Sequence, residues 1–190
     1  MVYAAVAGDR AEPCVVIDIG GGSTEVIAQV DGEWWVRSMQ LGAVSTTEQF
    51  LSDDPPAGSQ RQALRGFIED ALTRHLQGFR APAHAQVFGV GGTVTALAAV
   101  HKGLVRYDPA AIEGEVIPVA RMHEIAESLW RLPVGDREAI PGVNTGRADI
   151  ILAGSTILLC LLDRLGVSCL TASTRGLRYG ILYDLLAQDE

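Results

Sequence analysis

Apolar and polar positions change period several times along the chain, and each change marks an element. Cys14 to Ile19 (CVVIDI) is apolar except for Asp18, the pattern of a strand buried on both faces. Thr24 to Val30 predicts a second strand, ended by Asp31-Gly32, a strong hairpin signal. Trp34 to Leu41 predicts a third, with the adjacent Trp34 and Trp35 on opposite sides of it. Connections this short join antiparallel neighbours, so the three strands form a meander.

Helical spacing follows. Ser45 to Leu51 reads as a short helix, broken by Asp53-Asp54-Pro55-Pro56. Arg61 to Leu76 carries Leu64, Ile68, Leu72 and Leu76 one turn apart. Gln86 to Val90 is a short buried strand, and Val94 to Val100 an apolar helix. Lys102 to Gly114 reads as a loop, and Glu115 to Ile117 as a minor strand. Arg121 to Leu132 is an amphipathic helix, and Pro133 to Thr145 is irregular with one helical turn. Ala148 to Leu165 is a long helix apolar enough to be mostly buried. Ser168 to Ala172 is a strand and Leu177 to Leu186 the last helix. The order is βββαβαβα with inserted helices. A meander feeding parallel βα units gives a mixed sheet, here of about five strands, covered by helices. This is the ribonuclease H-like half-fold of the actin, Hsp70 and sugar kinase group, in one α/β domain over residues 1–190.

The turn between the first two strands carries the most chemistry. It reads VVIDIGGGSTE from Val15 to Glu25. Gly20, Gly21 and Gly22 lack a Cβ, so they can take φ > 0 and bring backbone N–H groups close to an anion. Ser23 and Thr24 add hydroxyl donors. If the hairpin turns symmetrically about Gly21 and Gly22, Asp18 and Glu25 face each other across the strands. Like charges so placed are destabilising, and a Mg²⁺ between them would be a reason for the pair. The alternative is a tight glycine turn with two solvated acids.

A second glycine turn, Gly91-Gly92-Thr93, follows a strand and opens a helix, where free N–H groups and the positive dipole end attract an anion. Thr93 could cap that helix instead. The turn is not a Walker loop, and Val94 breaks the dinucleotide fingerprint. Asp149, near the start of the long helix, suits the helix dipole. Arg175 and Arg178 lie after the last strand, where open α/β sheets place ligands; either could meet a polyphosphate or form a surface ion pair. The four histidines, His75, His84, His101 and His123, lack paired carboxylates in sequence and read as surface residues.

Composition narrows the setting. The 190 residues are 48% hydrophobic and 20% charged, enough for one domain with a sizeable core. A net charge of −8 argues against a long nucleic acid as partner. Fourteen of the fifteen basic residues are arginine, which suits bidentate phosphate contacts and equally reflects a GC-rich coding bias. No apolar run reaches the ~18 residues that span a bilayer. The opening MVYAAVAGDR lacks the features of a signal peptide. Cys14, Cys160 and Cys169 are odd in number and sit in apolar settings. Free thiols in a reducing cytosol are therefore expected, and with them a cytoplasmic location away from membranes.

These residues also resemble a known family. DIGGGSTEVI (18–27) is similar to the second phosphate-binding loop of the exopolyphosphatase and guanosine pentaphosphate phosphohydrolase (Ppx/GppA) family. The likeness continues through SMQLGAVSTTEQF (38–50), VFGVGGTVTALAAV (87–100), YDP (107–109), REAIPGV (137–143), RADIILAG (147–154) and GLRYGIL (176–182). The resemblance implies a phosphohydrolase that releases terminal phosphate from inorganic polyphosphate or guanosine pentaphosphate with Mg²⁺. In that reading Asp18 and Glu25 are catalytic, holding Mg²⁺ and orienting water. Gly20, Gly21, Gly22, Ser23 and Thr24 cradle the terminal phosphate, with Gly91, Gly92 and Thr93 as further phosphate contacts. The family's core has two such half-folds with the site between them. The first half supplies its own phosphate loop and the acid that activates water. MVYAAVAG resembles the linking helix after that acid, so the chain reads as the second half and is expected to be inactive alone. Its expected partners are the substrate, the missing N-terminal half-domain and a second copy in a homodimer, and the exposed cleft face is a candidate interaction patch. Tyr179 stands where family members often carry an acid. Two other readings stay open: a non-catalytic phosphate- or nucleotide-binding module, and a sugar-kinase-like ATP-binding half, which GVGGTVTAL fits less well.

Overall fold

The computed structural model describes residue 6 and residues 13–30, 32–82, 84–143 and 146–176. Among these, six strands form one mixed sheet in the order β3-β2-β1-β4-β6-β5. β1 (Cys14–Ile19), β2 (Thr24–Val30) and β3 (Glu33–Met39) are the antiparallel meander. β4 (Gln86–Val90) adds parallel to β1, and β6 (Cys169–Ala172) parallel to β4. β5 (Val116–Pro118) closes the edge antiparallel to β6. The short stretch near Ile117 is thus a full member of the sheet, which has six strands rather than about five. Ile117 is buried while Val116 and Pro118 point out, so a single side chain ties this strand to the core.

Helices fill the connections: α1 (Ala43–Phe50), α2 (Gly58–His75), α3 (Gly92–Lys102), α4 (Pro109–Ile112), α5 (Val119–Trp130), α6 (Val134–Glu138) and α7 (Ile151–Leu165). α4 corrects the loop expected over Lys102 to Gly114. It is one turn, capped by Asp108, whose side chain accepts from the Ala110 and Ala111 amides. The long helix starts at Ile151, after a turn that contains Arg147 and Asp149. Asp149 caps nothing beyond its own neighbour: its carboxylate accepts from the Ile150 N–H at 2.9 Å. The predicted last helix, with Arg178 and Tyr179, lies outside the described residues, as does the segment likened to a linking helix apart from Val6.

The core explains why β1 reads as continuous apolar sequence. Val15, Ile17 and Ile19 join the main core with α2, α3, α5 and α7, whereas Cys14 and Val16 pack on the opposite face with Phe88 and Val90. Every residue from Ile151 to Leu162 is buried, so α7 is enclosed around its whole girth, with the Ser155 and Thr156 hydroxyls satisfied on Leu152 O. Trp35 stacks on Phe79 at 3.9 Å, while Trp34, across the strand, is exposed. Cys14 and Cys160 are buried as expected; Cys169 is exposed. Burial pushes the Cys160 thiol up to about 11, so it stays protonated. No helix among the described residues is long and apolar enough to cross a membrane.

Candidate functional site

The β1–β2 hairpin has the symmetric register. Asp18 pairs with Glu25, and Ile19 with Thr24. Alternation puts Asp18 on the face opposite the main core, one row beyond Val16, with Glu25 and then Ser38 beside it on β2 and β3. Ser38 donates its hydroxyl to Glu25 Oε1 at 2.6 Å. Both carboxylates are half-buried. Burial, and secondly the charge of Glu25, hold the Asp18 carboxyl above its ordinary value. This chemistry fits Mg²⁺: two hard oxygen donors face each other, and their repulsion is relieved by a cation. Among the described residues no third carboxylate, His or Cys joins them, so water or substrate oxygens would complete the shell.

The glycines behave differently from expectation. None of Gly20, Gly21 and Gly22 takes positive φ. A Cβ on Gly20 would lie 3.3 Å from Ser23 O, the acceptor of Gly20's own N–H at 2.9 Å. A Cβ on Gly21 would press on Val44 Cγ2 at 3.2 Å. Only at Gly22 does a Cβ meet nothing, so Gly22 is the glycine whose open side faces free space. Thr24 is also corrected. Its side chain is fully buried and its hydroxyl donates to Leu41 O at 2.5 Å, so it pins the hairpin and has no proton to offer an anion.

The second glycine turn meets the first. Gly91 is the N-cap of α3 at φ 94°, and its missing Cβ leaves room for Ile19 O and Asp18 Oδ1. The two turns therefore lie side by side at the C-terminal ends of parallel neighbours β1 and β4. No side chain caps α3. Thr93 is buried against Gly154 of α7, so its backbone N–H belongs to the turn while its hydroxyl packs inward. Sequence reasoning gave Arg147 no role. Its guanidinium lies on Gly92, in the volume any Cβ there would fill, and it has no ion-pair partner among the described residues. A cation over the first turn of α3 adds to the positive dipole end. Nothing local in RADIIL signals this, because the contact spans from the α7 entry to α3.

Other predicted residues stand apart. Arg175 Nε lies 3.4 Å from Glu113 Oε1. Glu113 also accepts from the Thr174 N–H at 2.7 Å, so it organises the loop after β6 and occupies Arg175 in an ion pair. Two histidines do have carboxylate partners: His101 Nε2 is 3.6 Å from Glu115, at the far end of α3 from Gly92, and His123 Nε2 is 3.0 Å from Asp163.

A mixed sheet of this order, with paired carboxylates and two glycine turns at its strand ends, defines a ribonuclease H-like, actin-type half-fold. The chain belongs to the Ppx/GppA phosphatase family, whose model matches residues 1–189. It is 30% identical over 182 residues to exopolyphosphatase 2 of Mycobacterium tuberculosis, covering 94% of this chain and 57% of that protein. It is 30% identical over 191 residues to a putative exopolyphosphatase of Haemophilus influenzae, covering 97% of this chain and 56% of that protein. The Ppx/GppA phosphatase of Aquifex aeolicus, in its type II form, superposes with a TM-score of 0.84 at 30% identity over 95% of this chain and 59% of that one. The chain thus spans a little over half the length of these relatives.

Proposed function

We propose that this chain forms one wall of a phosphohydrolase site that releases terminal phosphate from inorganic polyphosphate or from guanosine pentaphosphate. The observation that supports this most is the meeting of the Asp18–Glu25 pair with both glycine turns. Two carboxylates, two sets of backbone amides and the Arg147 guanidinium converge where parallel strands end. Phosphoryl transfer needs mainly positioning and charge stabilisation, and these groups provide both. The amides of Gly21 and Gly22 and of Gly92 and Thr93 hold phosphate oxygens, the Gly20 N–H being taken by Ser23 O. Arg147 neutralises charge spread over the transferred group. Asp18 and Glu25 would hold Mg²⁺, which when bound supplies Lewis-acid charge neutralisation on the phosphoryl oxygens. Hydrolysis forms a bond from water oxygen to the terminal phosphorus and breaks its bridging P–O bond, with the water proton passing to a base.

Among the described residues of this wall no group is left to act as the base. Asp18 and Glu25 are committed to the cation, and both histidine–carboxylate pairs belong to other regions. The reading therefore includes a complementary half-domain that brings the general base and a second phosphate loop. A coupled phosphate-release assay on polyphosphate and on guanosine pentaphosphate tests it, with this chain alone and with a relative's first half added. Release that requires both pieces, and that Asp18→Asn abolishes, is the expected result. Tight Mg²⁺-dependent binding with no release in any combination would favour the non-catalytic phosphate-binding reading.

A further inference from the structure

We propose that Gly42 and the first turn of α1 are positioning elements that hold the Gly20–Ser23 turn in its anion-receiving shape from behind. Gly42 is the N-cap of α1, and a Cβ on it would overlap Gly21 O and the carbonyl carbons of Gly21 and Gly22. Its absence lets the helix end touch the loop backbone directly. The contact is bonded: Ala43 N donates to Gly20 O at 3.0 Å, and Val44 N and Ser45 N donate to Gly21 O at 2.9 and 3.1 Å. Helix N-termini leave their first N–H groups without intrahelical partners, and here three of them are spent on two consecutive loop carbonyls. Thr24 locks the other side through its hydroxyl on Leu41 O.

This seat decides where the loop amides point. In a trans peptide the C=O and N–H of one unit point in opposite directions. Gly20 C=O shares its peptide unit with Gly21 N–H, and Gly21 C=O with Gly22 N–H. With both carbonyls drawn to α1, both amides are turned away from it, and neither has a protein acceptor among the described residues. Three glycines in a row would otherwise leave these peptide planes free to flip, since glycine has the broadest conformational freedom. The flipped loop would offer carbonyl oxygens, which repel an anion. Gly42 therefore acts through the loop without touching the anion. The inference rests on the phosphate-site reading above.

The test compares the 190-residue chain with Gly42→Ala, with Ala43→Pro and with Gly58→Ala. The last is a control at the start of α2, where a Cβ meets nothing. Ala43→Pro deletes the donor to Gly20 O at the first helical position, where proline suits a helix, and Gly42 at φ −118°, ψ 157° already has the extended backbone a residue before proline adopts. Amide hydrogen exchange is read by NMR. Protection of Val44 and Ser45 is expected to fall at least tenfold in both seat variants, with Ile17 and Val26 in the sheet unchanged. Calorimetric titration with magnesium tripolyphosphate is expected to show at least tenfold weaker binding in both, and wild-type binding in Gly58→Ala. Wild-type exchange and affinity in Gly42→Ala or Ala43→Pro would overturn the inference while leaving the site reading intact. A wild-type chain that does not bind tripolyphosphate at all would overturn both. Should Gly42→Ala not fold, Ala43→Pro alone decides.

Discussion

Replacing Asp18 with asparagine should make the metal-free protein more stable and deaf to Mg²⁺. The register places the two carboxylates on directly opposed residues, with Cβ atoms roughly 5 Å apart. Two like charges at that separation repel by about 3 kcal/mol at an effective dielectric of 20 and by under about 1 kcal/mol in bulk water. Both groups are half-buried, and solvent screens them partly, so about 1 kcal/mol is the reasonable gain. For a chain of this size that is roughly 2–4 °C in Tm. The pH dependence has a definite sign. Asp18 is held above its ordinary value by burial and by Glu25, so the folded state keeps the proton that the unfolded state releases near pH ~4. Its contribution is fully present below the unfolded value and is lost as pH rises through the raised folded value. In EDTA, wild-type stability should therefore decline across that window, and Asp18→Asn should lack this decline. Thermal melts by circular dichroism at several pH values, with EDTA and then with MgCl₂, read all of this. An asparagine variant that melts lower in EDTA, or that still responds fully to Mg²⁺, would refute the shared-cation argument.

Gly22→Ala should leave stability within about ±0.5 kcal/mol, because its Cβ meets nothing and its φ is ordinary, while weakening tripolyphosphate binding about tenfold by calorimetry. Gly21→Val should instead cost about 1–3 kcal/mol in urea denaturation, because its side chain would collide with Val44 of α1. Arg147→Ala should weaken polyphosphate binding and its salt sensitivity with little change in Tm, since no carboxylate among the described residues pairs with it. Arg137 is 3% exposed and donates to Leu132 O at 3.1 Å, Ala148 O at 2.5 Å and Asp54 Oδ1 at 2.9 Å. Arg137→Met should therefore cost about 2–3 kcal/mol by denaturant titration, mainly by stranding the Leu132 and Ala148 carbonyls, since Asp54 is part-exposed and keeps the Val134 N–H.

Much of the fold was legible because its signals are local. The apolar run of β1 with a single aspartate, the short turns of the meander and the predominantly apolar α7 each follow from a few neighbouring residues. Even the facing of Asp18 and Glu25 follows from a symmetric turn, because strand register fixes every pair once one pair is fixed. The parts that sequence did not reveal are contacts between distant segments. Arg147 reaches Gly92 across the α3–α7 interface, Glu113 organises a loop sixty residues away, and Thr24 turns inward to bond Leu41. Thr24 was legible as a hydroxyl donor, but only packing shows which atoms these side chains are aimed at.

The glycines make the same point most sharply. A run of three invites a single explanation, permissive φ, and that explanation holds for none of them. Gly20 closes a tight turn on Ser23, Gly21 makes room for Val44, and Gly22 keeps space open in front of the loop. Positive φ belongs to Gly91, in the other turn, where the backbone must pass Ile19 O. The closest backbone approach at the first turn belongs to Gly42, twenty residues beyond it and outside any glycine-rich motif. Each glycine excludes a Cβ for a different reason, so the same alanine substitution should read out stability at one position and ligand affinity at another. That separation makes the site testable by single methyl groups, and it follows from the geometry of the turn and α1 together.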